Sequence, residues 1–433
     1  MAANSTILRR HRLLWLSRRR WKMRLVLWGG AILVGLVSVL FAWAANGAQE
    51  EFRRIVFTPW LALLVTPLGF VFCAWAARAL FPGSQGSGIP QAIAARRLKD
   101  DASRSRLLSG RLTVGKILLT LAGLLCGASI GREGPTVQVG ASIMLKLAQV
   151  TGLERERGLI LAGSAAGVAA AFNTPLAGIV FAIEEMSRAF ETRATGMVLI
   201  AVILAGLASL GLVGNYSYFG HSDSMLDVGA DWLAVLVCGV VGGLLGAGFA
   251  HLTIRGTAMI RRWTQSGAAM RRALLLAAAM GLVVAVCGIL SQGATYGTGY
   301  DAARLAVEGH GMPLVFAPLK FIATIASTLS GIPGGLFAPS LAVGAGMGSV
   351  VAKLLGVKAV GAIVLLGMTA YFAGTVQAPI TAFVIIGEMT GATGMVIPLM
   401  LAAFIGFGVS RIFLRESLYH ALARGFVSES RLP

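Results

Sequence analysis

The chain is predicted to be an all-α, polytopic membrane protein, built as an inverted-topology repeat of tilted and broken helices. Three observations carry that prediction. Apolar residues make up 56% of its 433 positions and Asp, Glu, Lys and Arg only 13%, whereas a soluble domain carries about 25% charged residues. The apolar residues lie in long charge-free runs. The second half of the chain repeats the rarer residues of the first at one constant spacing. A soluble enzyme, a disordered segment and a fibrous repeat are excluded on composition alone.

In chain order the runs cover 25–49, 55–77, 158–183, 194–222, 232–254, 273–300, 321–352, 359–387 and 389–410. A bilayer core about 30 Å thick takes about 20 such residues per helix, and a β-barrel would instead show short alternating segments. The first run holds 25 uncharged residues, far more than the roughly 7–15 of a signal-peptide core, so a retained helix is expected. Lys and Arg number 37 against 18 Asp and Glu, a formal +19. The excess clusters at the ends of apolar runs, as Arg9, Arg10, Arg12, Arg18, Arg19, Arg20, Lys22 and Arg24 do before Leu25. That is the positive-inside pattern, with a cytoplasmic N-terminus near anionic lipid. Nucleic acid is not an expected partner, because no binding motif accompanies the charge. Cys73, Cys126, Cys238 and Cys287 sit singly in apolar runs, and His11, His221, His251, His310 and His420 have no partner at ligand spacing. Neither a disulfide framework, a metal nor a cofactor is expected.

Shifting the chain by 204 positions lays Lys116 on Lys320, Gly131 on Gly335, Pro135 on Pro339, Gly140 on Gly344, Gly163 on Gly367, Pro175 on Pro379 and Glu184 on Glu388. None of these matches uses the abundant Leu or Ala. The chain therefore divides into a basic cytoplasmic N-terminus (1–24), a first membrane repeat (25–215), a second (230–410) and a C-terminal cytoplasmic segment (411–433). Arg96, Arg97, Lys99, Arg104, Arg106 and Arg111 precede Lys116, whereas Asp301, Arg304, Glu308 and His310 precede Lys320. Equivalent segments thus start on opposite sides of the membrane. The stretch 215–231 has no Lys or Arg and reads as external, while 255–272 and the residues from Arg411 onward read as internal. Inverted repeats with interrupted helices mark transporters, with the substrate site near the midplane.

Three turns share one grammar: Gly86-Ser87-Gly88-Ile89-Pro90, Gly131-Arg132-Glu133-Gly134-Pro135 and Gly334-Gly335-Leu336-Phe337-Ala338-Pro339. Proline is favoured at the first helical position and glycine permits the sharp turn before it, so each cluster is expected to start a helix. A helix start within a membrane leaves up to four unpaired N–H groups. With the positive end of the helix dipole, they form an anion site that needs no full positive charge. Such a site binds weakly enough to release its ion, as conduction requires. Ser87, Gly88, Ile89, Glu133, Gly134, Leu336 and Phe337 are the candidates for it. A packing role for the same glycines is the alternative for any single cluster.

Carboxylates inside a membrane cost about 2.5–3.5 kcal/mol each and need a reason. Glu184 and Glu388 hold the same place in both halves, which favours a structural bond to a neighbouring helix end. Glu185 faces Met389 under the shift and suits a task confined to one half, such as proton relay; a solvated carboxylate paired with Arg188 is the alternative. Glu133 stands at a helix start where the other half has Phe337. Its carboxylate can occupy an anion's place and leave on protonation; a salt bridge to Arg132 or a simple cap is the alternative. Two further patterns are set aside. Gly110 to Lys116 begins like a P-loop but continues with Ile117, lacking the magnesium-binding hydroxyl. Gly127-Ala128-Ser129-Ile130-Gly131 fits a nucleophile elbow but has no strand signal and no evident base.

In these motifs the chain resembles the CLC family of chloride channels and chloride/proton antiporters over essentially its whole length. The carrying residues are 86–90 (GSGIP), 131–135 (GREGP), 335–339 (GLFAP, often GIFAP in the family) and Leu418-Tyr419. The resemblance implies a homodimer in which each subunit has its own ion path. It implies that Ser87 and Tyr419 hold chloride through their hydroxyls, with the N–H groups of Leu336 and Phe337 facing the same ion. Glu133 would be the outer gating and proton-carrying glutamate and Glu185 the inner proton glutamate, a position where channel members commonly lack an acid. The expected function is therefore secondary active chloride/proton antiport in a bacterial inner membrane, with a passive chloride channel as the alternative and no enzymatic activity. Regulation through a CBS domain pair is not expected. Gln91-Ala92-Ile93 stand where some bacterial antiporters carry acids, so inner proton access is expected to differ in detail. The fluoride-exporting branch changes the first two motifs, and fluoride is not the expected main substrate.

Overall fold

The computed structural model describes residues 18–153, 156–187, 192–214, 217–226, 229–264 and 268–429. Arg9, Arg10 and Arg12 of the basic N-terminus, and the Arg188 considered beside Glu185, lie outside the described residues. Eight helices among the described residues are long and apolar enough to cross a membrane. Trp43, Phe57, Trp60, Leu354 and Ile412 are exposed on the outer surface, as a lipid-facing surface demands.

The first half runs α1 (Arg18–Ile55), α2 (Ala62–Ala79), α3 (Ile89–Arg97), α4 (Asp101–Leu107), α5 (Gly110–Leu125), α6 (Glu133–Thr151), α7 (Glu156–Phe172), α8 (Pro175–Phe181) with a π-turn over Ala182–Ser187, and α9 (Thr192–Val213). The second runs α10 (Leu233–Thr264), α11 (Ala269–Leu290), α12 (Tyr300–Val307), α13 (Phe316–Leu329), α14 (Phe337–Leu355), α15 (Val360–Val376), α16 (Pro379–Thr390) and α17 (Val396–Phe413). A final helix, α18 (Leu418–Glu429), packs on α3.

The repeat extends to the backbone. α6 ends at Gly152 (φ 64°) and α14 at Gly356 (φ 65°), the same position under the shift of 204. α7 stops at Asn173 (φ 56°) and α15 at Gln377 (φ 58°). These left-handed, non-glycine residues break the helices before Pro175 and Pro379, which begin α8 and α16. The repeated glycines also find their reason. A Cβ at Gly163 would strike the Gly140 carbonyl oxygen, and one at Gly367 would strike that of Gly344. Helices α6 and α7, and likewise α14 and α15, therefore cross with backbones in contact, as small residues permit in membranes. Helix α15 is apolar all round and is buried from Gly361 to Val376, as such a helix must be.

The acids Glu184 and Glu388 cap each other's half. Glu184 Oε1 accepts from Ile380 N–H at 3.1 Å and Oε2 from the Thr381 hydroxyl at 2.7 Å. Glu388 Oε1 accepts from Leu176 N–H at 3.1 Å and Oε2 from Ala177 N–H at 2.9 Å. Each carboxylate thus satisfies the orphan donors at the start of the other half's broken helix. This is the neighbouring-helix-end role that their matched positions suggested, and the exchange is reciprocal, as an inverted repeat requires.

Candidate anion and proton site

The three glycine turns meet. Gly131 N–H donates to Gly335 O at 2.8 Å and Gly335 N–H to Gly131 O at 2.7 Å, while Gly86 N–H donates to Ile332 O and Gly334 N–H to Gly86 O, both at 3.2 Å. These short bridges hold the starts of α3, α6 and α14 together from both halves. The helices begin at Ile89, Glu133 and Phe337, so proline falls at the second or third helical position instead of the first. The physical logic is unchanged, because none of the first four N–H groups has an intrahelical acceptor. Gly88 (φ 101°) turns the chain into α3, a conformation that favours glycine. Its own N–H donates to Gln91 Oε1 at 3.1 Å, so Gly88 contributes turn geometry, and Ile89 supplies the first helical N–H of α3.

Ser87 packs its hydroxyl against the Cα of Gly134, where any Cβ would collide with it. Tyr419, in the first turn of α18, stacks on Phe337 with ring centroids 6.0 Å apart at 13°. Phe337 in turn packs on Phe172, Phe181 and Phe372. Ser87 Oγ and Tyr419 Oη are both buried without a hydrogen-bond partner inside the protein. Buried hydroxyls are normally satisfied, and exceptions ask for an explanation. Two of them beside converging helix starts are an arrangement ready to donate to an anion.

Lys116 and Lys320 are both fully buried. Lys116 Nζ donates to Gly86 O at 2.9 Å, and Lys320 Nζ donates to Thr295 O at 2.9 Å and Gly297 O at 2.7 Å. Each ammonium braces the glycine turn of its own half, so the P-loop-like sequence around Lys116 is accounted for structurally. Ser129 of the elbow-like pattern is equally committed, its hydroxyl meeting Thr324 at 3.0 Å.

Glu133 is buried, and the Tyr300 hydroxyl donates to its Oε1. Arg132 Nε lies 4.0 Å from the same oxygen, but Arg132 Nη1 donates to Ala42 O at 2.6 Å and Asn46 at 2.8 Å, and the guanidinium sits 4.6 Å from the Tyr218 ring centroid. The sequence lets this carboxylate occupy an anion's place or leave it; in the structure its Oε1 accepts from a tyrosine of the opposite half. Glu185 is separate from this cluster. It sits in the π-turn, buried, with His420 Nδ1 at 3.1 Å and Ser417 Oγ at 3.3 Å from its Oε1. Tyr419 and His420, adjacent in the first turn of α18, reach Phe337 and Glu185 respectively.

Tyr300, Ser417 and His420 were not legible as site residues. A signal for Tyr300 exists: Gly297-Thr298-Gly299-Tyr300 mirrors Gly86-Ser87-Gly88-Ile89, with Gly299 (φ 83°) beginning α12 as Gly88 begins α3. The shift there is 211 instead of 204, because the first half inserts the short helix α4 between the turn and its lysine. His420 gives no local signal; it neighbours Tyr419 in sequence but meets Glu185 only through the fold.

An inverted repeat whose broken helices converge on buried polar groups defines a membrane protein of the transporter type. The comparisons are more specific. A family model described as voltage gated chloride channel matches residues 69–411, and the chain belongs to that family, CLC. It is 30% identical over 397 residues to the H(+)/Cl(-) exchange transporter ClcA of Citrobacter koseri, covering 85% of this chain and 81% of that protein. It is 30% identical over 422 residues to ClcA of Yersinia pestis, covering 90% and 85%. Among solved structures it is similar to a slow cyanobacterial Cl−/H+ antiporter (TM-score 0.79, 23% identity, 93% of this chain and 98% of that one). It is also similar to a CLC-type fluoride/proton antiporter (TM-score 0.78, 25% identity, 92% and 96%).

Proposed function

We propose that this chain is a secondary active antiporter exchanging chloride for protons across a bacterial inner membrane, working as a homodimer in the lipid bilayer and performing no enzymatic reaction. The observation that carries the reading is the pair of unpartnered hydroxyls, Ser87 and Tyr419, at the meeting point of helix starts from both halves. Chloride sits there against both O–H groups and the N–H groups of Ile89, Gly134, Leu336 and Phe337. Partial charges hold it, so it leaves quickly. Glu133 alternates between Tyr300 and the anion's place: ionised, it displaces chloride; protonated, it withdraws and carries its proton outward. Glu185 receives and releases the proton on the inner side. Relatives named as H(+)/Cl(-) exchange transporters support the same assignment.

The test is flux through purified protein in liposomes. An imposed chloride gradient is expected to drive protons uphill, in the direction opposite to chloride. Chloride movement with no proton movement would leave the passive-channel alternative. Replacing chloride with fluoride is expected to give slower exchange.

A further inference from the structure

Glu185 does not stand alone. Its Oε1 lies 3.1 Å from Nδ1 of His420, and Ser417 Oγ is 3.3 Å from that oxygen and 3.2 Å from that nitrogen. The three atoms close a buried triangle at the start of α18. Ser417 precedes the first residue of that helix, a position from which its hydroxyl would ordinarily cap the backbone; here it turns to the carboxylate and the ring instead. A second basic group, Arg96, donates from Nη1 to Met186 O at 2.5 Å and fixes the residue next to Glu185. Resting on the antiport reading above, we propose that the inner proton terminus is a Glu185–His420 dyad, in which the imidazole passes each proton between cytosolic water and the glutamate.

A carboxylate and a ring nitrogen at this distance share one proton. Either Nδ1–H donates to the ionised carboxylate, or the protonated carboxyl donates to a bare Nδ1. The inward-facing step is balanced as follows. A hydronium ion in the cytosolic water loses an O–H bond as an N–H bond forms on Nε2 of the neutral, Nδ1-protonated ring, giving an imidazolium. The Nδ1–H bond then breaks as an O–H bond forms on Glu185, and the ring is again neutral. The outward sequence reversed returns the proton. α18 packs against α3, α10 and α15. The titratable and charged side chains on those elements are Arg96 and Arg97 of α3, Cys238, His251, Arg255, Arg261 and Arg262 of α10, and Tyr371 of α15. Arg96 is tied to Met186 O, and Arg261 lies beside Gly425, about one and a half turns beyond His420. On its own segment, Glu416 and Arg424 flank His420 in the chain and pair with each other, and both are more exposed than the ring.

Asparagine reproduces the position of Nδ1 and can hydrogen-bond Glu185, but it does not titrate. With His420→Asn, uphill proton flux in liposomes is expected to fall at least about tenfold, in line with the loss of one proton-transfer group. Chloride efflux read in a Glu133→Gln background, where no proton is needed, is expected to match Glu133→Gln alone. Wild-type proton flux in His420→Asn would overturn the proposal and leave the ring as a hydrogen-bonding support. An equal fall in chloride efflux would also overturn it, showing that the ring acts by positioning Tyr419. His420→Gln serves if the asparagine protein does not reconstitute. In addition, the 15N spectrum of the wild-type ring is expected to titrate differently in Glu185→Gln, and an unchanged titration would count against the dyad. Absence of proton flux in the wild type itself would instead strike the antiport reading, so the two failures are distinguishable.

Discussion

Glu133 carries the sharpest expectations of any single residue. An amide cannot ionise, so Glu133→Gln is expected to abolish uphill proton movement while chloride still crosses, read as paired chloride and pH traces from liposomes. Glu185→Gln is expected to remove proton transport in the same assay and to keep chloride flux, because that acid lies apart from the helix starts, in contact with His420 and Ser417. Tyr300 makes a third case. Its hydroxyl holds the Glu133 carboxylate aside. Without that bond the carboxylate competes more often for the anion's place, so Tyr300→Phe is expected to weaken chloride binding. A single hydrogen bond is worth about 0.5–1.5 kcal/mol, or about two- to tenfold in affinity. Calorimetric titration of chloride checks this, and a double substitution with Glu133→Gln isolates the coupling. If Tyr300→Phe weakened binding equally in that background, the tyrosine would act on chloride by some other route.

At the level of helices, the broken segments depend on acids lent by the opposite half. Glu388→Ala strips acceptors from Leu176 and Ala177 at the start of α8, and Glu184→Ala does the same to Ile380 and Thr381 at the start of α16. A lost helix cap costs about 0.5–2 kcal/mol. Each substitution is therefore expected to lower the thermal midpoint in detergent, to a similar extent because the geometry repeats. A large loss from one and none from the other would contradict the reciprocal arrangement. The two alanine variants also separate structure from transport, since neither carboxylate belongs to the proposed proton route.

For the molecule as a whole, the inverted repeat makes a claim about sidedness. The basic connection before α5 is expected to face the cytoplasm, and its counterpart before α13 the outside. Single cysteines at Asp100 and Glu308, both exposed, test this. In whole cells an impermeant maleimide is expected to label the Glu308 position directly and the Asp100 position only after permeabilisation. Native background is low, because Cys73, Cys238 and Cys287 are buried and Cys126 is partly so. Labelling of both from the same side would refute the inversion. The opposed halves also explain why the helix starts of α6 and α14 can face one another at all: parallel repeats would point both starts toward the same surface.

How much of this was legible before folding differs by the range of the interaction. Amino-acid order alone determined the membrane class, the two halves, the three helix starts and the choice of Ser87, Glu133 and Glu185 as residues of interest, while Tyr419 came from the family resemblance. Those features are local or periodic: long apolar runs, glycine and proline at turns, and rare residues returning after 204 positions. Even the caps of Glu184 and Glu388 were foreshadowed, because a matched pair of buried acids needs donors. The tertiary structure alone decided which atoms those residues touch. Tyr300 reaches Glu133 across 167 positions and His420 reaches Glu185 across 235. Nothing in local propensity or spacing encodes such pairs. They arise because a buried carboxylate must find a donor wherever the packed helices bring one near.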